Sequence, residues 1–217
     1  MRKKVLTILV LCVCLSAGGV FAYSQATKVE GEEEFRDIGI GMRQPVNLLL
    51  AEAQTGEINT IGSINGSNEA DAMGEVLGIK ISKTYFDVRY ASYKSSPLDY
   101  ENPKEAAWDS IKEEVWERKF AEENGLMPTE KEIEAYVETN REGFNSTSEG
   151  RILIKALCEG MGLTENEYWE YNKKYQAPIA LIHINVEEFL EKNKMEKPNY
   201  DNISNVILDN NYFEQLS

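Results

Sequence analysis

His183 is the only histidine in the chain, and Cys158 is the only cysteine beyond the first twenty-two residues. Those two counts bound the chemistry. A His-rich metal site cannot be assembled around one imidazole. A general base needs a nucleophile at workable spacing, and none accompanies His183, which reads as a surface or half-buried structural histidine. Cys158 stands beside Glu159, whose charge raises a thiol pKa, so it reads as a buried, inert thiol. The carboxylates are too many to single out a catalytic pair. Glu113-Glu114, Glu122-Glu123 and Glu130-Lys131-Glu132 read as solvated helix faces, with Glu114 facing Arg118 one turn on. The stretch "DNISNVILDNN" lacks the alternating ligands of a calcium loop. Asn65-Gly66-Ser67 and Asn145-Ser146-Thr147 fit the glycosylation tripeptide, a pattern common by chance. The expectation is no catalytic residue, no metal and no cofactor.

The aromatics carry more information. Tyr and Trp side chains are concentrated between Tyr85 and Tyr175. They suit a helical core, and they equally suit an apolar groove for extended chains, because they touch apolar groups while keeping a polar tip wet. Tyr85, Tyr90, Trp108, Trp116, Tyr168 and Trp169 are the candidate contact residues of such a groove. Tyr168 and Trp169 are neighbours, so one helix face cannot cover both, and one of them is expected at the surface.

Charge and leader narrow the setting. Arg2, Lys3 and Lys4 precede an apolar run, Val5 to Leu15, and Val20-Phe21-Ala22 offers a cleavage site. Residues 1–22 therefore read as an export signal or, left uncleaved, as a membrane anchor. Cleavage would remove those three cations and no acid, taking the formal charge from −14 to −17. So acidic a surface repels nucleic acid and anionic lipid. With one cysteine left there is no internal disulfide, and packing must hold the fold.

The elements that position these residues follow from periodicity and capping. Residues 23–59 read as a polar linker or arm, with one or two helical turns at "VNLLLAEA". Ile61 and Ile79 mark a small pair of strands. Ser82 caps a helix carrying Tyr85, Phe86 and Tyr90; Asn102-Pro103 opens a longer one that Gly125 ends. Thr129 with Glu132 and Thr164 with Glu167 are capping boxes. A helix from about Ser148 to Glu159 turns Ile152, Ala156 and Leu157 inward. Pro178 interrupts the Thr164 helix or starts another through Val186 and Leu190. Residues 196–217 form a tail.

In order, "SINGSN…IKISKTYFDVRYASYK", "NPKEAAWDSIKEEVWERKFAEENGLMPTEKEIEAYV" and "GLTENEYWEYNKKY" resemble the N-terminal domain of the SurA-type and PrsA-like extracytoplasmic chaperones. The likeness covers about Thr60 to Asn193 and implies a mainly α domain over 60–195 with a small two-stranded β element. It departs from the pattern in an insert, Ser67 to Gly78. The histidines and cysteine of a parvulin-type isomerase domain are missing, so isomerase activity is not carried over. The resemblance implies an exported, non-enzymatic protein that binds unfolded or newly translocated polypeptides. The alternative is an envelope module that docks one specific protein. Either would act outside the cytoplasm, membrane-attached if residues 1–22 remain.

Overall fold

Ser82, Asn102, Thr129, Thr147 and Thr164 each stand just before a helix, and each accepts the backbone N–H of the residue three positions on. These side chains satisfy donors that a helix start leaves orphaned, and they fix where the helices begin. The computed structural model describes residues 31–55, 71–96 and 100–215. Over these residues the chain is mainly helical with a small three-stranded antiparallel sheet. In order come α1 (Glu32–Thr55), β1 (Ala72–Val76), β2 (Ile79–Ser82), α2 (Lys83–Lys94), α3 (Pro103–Asn124), α4 (Glu130–Asn145), α5 (Ser148–Met161) and α6 (Glu165–Tyr171). A π-helical turn (Asn172–Gln176) leads into α7 (Ala177–Asn193), followed by β3 (Asn205–Ile207) and α8 (Asn210–Gln215). No described helix is long and apolar enough to cross a membrane, and residues 1–22 lie outside the described set.

The polar arm is corrected by α1. Phe35, Met42, Val46 and Leu49 are buried along one stripe of that helix. Gly39, Gly41 and Pro45 made the segment look unhelical, because glycine and proline lower intrinsic propensity. Packing overrides propensity here. A Cβ on Gly39 would stand 2.8 Å from the Cα of Gly160, so the glycines let α1 and α5 cross with their backbones touching. Arg43 then donates to the carbonyls of Gly160 and Glu159, satisfying the end of α5.

The sheet is also larger than expected. β1 lies inside the presumed insert and pairs with β2 through the two-residue turn Leu77-Gly78, both at positive φ (51° and 83°). That geometry suits the right-handed twist of a hairpin. Lys119 donates to the Leu77 carbonyl, and the Leu77 amide donates to Ser204. The Ile61 segment lies outside the described residues. β3, from the expected tail, adds to the other edge of β1, so the sheet order is β2-β1-β3. The tail also buries Ile203 and Phe213. It belongs to the fold.

Two apolar clusters form the interior. The larger joins α1 to α6, the sheet and the tail; the smaller holds Ala121 of α3 against Ile182, Val186 and Leu190 of α7. Of the two expectations for Pro178, the second holds: it stands in the first turn of α7, where a helix start leaves an amide without a partner in any case, and the helix runs on through Val186 and Leu190. Ile152 of α5, expected inside, is 49 % exposed.

Candidate functional site

The open ends of α1, α4 and α6 meet the π turn around a groove of about 880 Å³. Leu50 and Ala51 of α1, Ile133 of α4, Leu163, Tyr171 and Pro178 give it an apolar lining. Glu130, Glu167, Glu170, Lys173 and Lys174 stand around that lining. The two capping boxes build this corner. In each, a threonine hydroxyl accepts the glutamate amide while the carboxylate takes the threonine N–H, at 2.7 Å for Glu132 and 2.7 Å for Glu167. Those backbone N–H bonds, with the threonine hydroxyls, hold both carboxyls below their ordinary pKa.

The charges around the groove are unequally engaged. Lys173 pairs with Glu134 at 2.7 Å, and the Lys174 ammonium lies 5.3 Å from the Tyr175 ring centroid. Glu167 is spent on its cap. Glu130 and Glu170 are exposed carboxylates beside the apolar lining. A groove of this size falls within the roughly 300–1,000 Å³ typical of ligand sites.

Four of the six aromatic candidates lie in the core, away from this groove. Tyr85, Trp108, Tyr168 and Trp169 are buried at 2 %, 5 %, 1 % and 3 % exposure, which corrects their assignment as contact residues. Tyr90 and Trp116 are half-buried, the first stacked on Phe86, the second on Phe120. Tyr168 and Trp169 are both covered, because α6 is inserted into the core rather than laid on it. Trp169 meets Phe144 of α4, Tyr168 meets Trp169 edge-on, and the indole N–H donates to Glu165. Trp108 lies against Gly74, where a Cβ would come within 2.5 Å of the ring, and its N–H donates to Asn205. Among the described residues no aromatic side chain is fully exposed.

Two polar clusters escaped the sequence reading. In the first, Glu114 is buried, not solvated, and pairs with Arg89 of α2 at 2.9 Å; Arg118 instead pairs with Glu122. Tyr85 donates to Glu114 at 2.5 Å and accepts from Arg89 at 2.8 Å. Burial pushes the Glu114 carboxyl up to about 7, against the pull of Arg89. In the second, His183 Nδ1 of α7 lies 2.9 Å from Oε1 of Glu117 on α3, a carboxylate only 2 % exposed. Glu113, Lys197 and Glu187 adjoin this pair. The hydrogen bond to Glu117 raises the His183 pKa, against desolvation. Cys158 is buried, and burial pushes its thiol up to about 12, in keeping with an inert role.

No family model, curated protein or solved structure matches the chain.

Proposed function

We propose that this chain binds unfolded or newly translocated polypeptides outside the cytoplasm, without catalysing a reaction on them. The reading joins the leader-like residues 1–22 and the resemblance to SurA-type chaperone domains with one structural observation. That observation is the groove between α1, α4, α6 and the π turn. Its lining is apolar and mostly aliphatic, with Tyr171 its one aromatic; it is open to solvent, and exposed carboxylates stand beside it.

The contact surface differs from the one expected from aromatic content. Aliphatic Leu50, Ile133 and Leu163, with Tyr171, stand in place of the six expected aromatics as the groove's apolar contacts. The favoured occupant is an extended segment with apolar side chains flanked by lysine or arginine. Glu130 and Glu170 supply the complementary charge, since Lys173 is already neutralised by Glu134. The high negative charge of the whole chain keeps a loaded complex soluble.

Aggregation of thermally unfolding citrate synthase tests the reading. Stoichiometric protein is expected to suppress light scattering, and Ile133→Glu with Leu163→Glu is expected to lose that effect while remaining folded. Unchanged aggregation in the presence of the wild-type chain would remove the proposal.

A further inference from the structure

The seam between α3 and α7 carries a second site, unrelated to the groove. Glu113 and Glu117 are one turn apart on α3 and so share a face. His183 reaches that face from α7. One ligand atom from each of the three lies within 4.8 Å of the other two. A tetrahedral ion with bonds of about 2.0–2.2 Å sets its ligand atoms roughly 3.5 Å apart. The existing spread therefore closes onto an ion with side-chain adjustments of about an ångström.

We propose that Glu113, Glu117 and His183 bind one divalent transition-metal cation of the zinc type, bracing α3 against α7. The charge count argues for it independently of the spacing. Three carboxylates, Glu113, Glu117 and Glu187, meet here, against at most two cations, Lys197 and His183 in its protonated form. The cluster is thus at least one positive charge short. Glu117 is 2 % exposed and the Glu113 side chain 20 %, so water cannot fully make up the difference.

A divalent ion removes the shortfall. It takes Glu113, Glu117 and neutral His183 as ligands, and the His183 proton leaves to solvent. Lys197 stays with Glu187, with which it already makes its closer pair. The balance becomes two carboxylates against a dication, and one carboxylate against one ammonium. One nitrogen and two oxygen donors suit zinc, with water completing the shell; calcium asks for six to eight oxygens. The ion would sit beside the smaller core cluster, where Ala121 packs on Ile182 and Val186.

The test uses untagged, metal-stripped full chain titrated with zinc chloride by calorimetry, with the imidazole of His183 followed by NMR. Because the chain has a single histidine, its ring signals are unambiguous. The expected result is one saturable site, a shift of the His183 ring in step with occupancy, and at least tenfold weaker binding in Glu113→Gln and in His183→Gln. Cys158→Ala is expected to bind as the wild type does. The proposal is overturned by an absence of saturable binding, by a His183 ring that does not shift at saturation, or by loss of binding in Cys158→Ala. Glu113 is half-buried, so its variant and the wild-type ring signal decide the matter even if His183→Gln fails to fold.

Discussion

Gly39 on α1 and Gly160 on α5 meet backbone to backbone: a Cβ on either would lie 2.8 Å from the Cα of the other. Nothing flexible stands in the way that could rotate aside, because the other close atoms are also main-chain atoms. Alanine at either position must push the helices apart. Gly39→Ala and Gly160→Ala are each expected to lower unfolding stability by about 1–3 kcal/mol, the usual cost of overpacking. Urea denaturation of each variant checks this. A loss below a few tenths would mean the crossing is not as close as described.

Arg89 and Glu114 are a buried ion pair with Tyr85 as their third member. Removing one charge strands the other away from water. Arg89→Met alone is expected to cost about 3–5 kcal/mol. Arg89→Met combined with Glu114→Leu is expected to recover most of that loss, since no uncompensated charge remains. A double-mutant cycle by denaturation reads the coupling directly.

The capping boxes set an acid limb. Glu132 and Glu167 have folded pKa values below those of the unfolded chain. Their contribution is therefore fully present above the ordinary carboxylate range and is lost as pH falls through the depressed values. Both groups are exposed, so the effect is modest and best read as a slope. Between pH 6 and pH 3 the double variant Glu132→Gln with Glu167→Gln is expected to lose less stability than the wild type. Denaturant midpoints across that range measure it.

The buried aromatics are expected to matter for folding and not for binding. Trp169→Ala removes a ring packed on Phe144 and Tyr168, and should cost about 3–5 kcal/mol. Tyr168→Phe keeps the ring and should leave polypeptide binding unchanged. Comparing thermal midpoints with aggregation suppression for both variants separates the two roles.

Much of the fold was legible in local grammar. The caps at Ser82, Asn102, Thr129 and Thr164 and the stop at Gly125 lie where the sequence puts them, because a cap is a contact between residues three apart. What was hidden is non-local. α1 looked like an arm because Gly39, Gly41 and Pro45 weaken it alone, and only α5 shows why the glycines are needed. β3 lies in a stretch whose sequence reads as tail, because three residues carry almost no strand signal without β1 beside them. The site was hidden for the same reason. Adjacent Tyr168 and Trp169 suggested exposure on the premise of one buried face, whereas α6 is covered on more than one. Glu117 and His183 are 66 positions apart, and no spacing rule connects them.

The central claim is that the groove between α1, α4, α6 and the π turn holds extended polypeptide. Fluorescence anisotropy of a labelled, extended synthetic peptide in which leucine and valine are flanked by lysine tests it most directly. Titration with the wild-type chain is expected to give a saturable rise, and Ile133→Glu with Leu163→Glu is expected to weaken it about tenfold or more, a loss of about 1.4 kcal/mol that two partly buried aliphatic contacts can supply. A flat titration, or equal affinity for the wild type and the folded groove variant, would contradict the account.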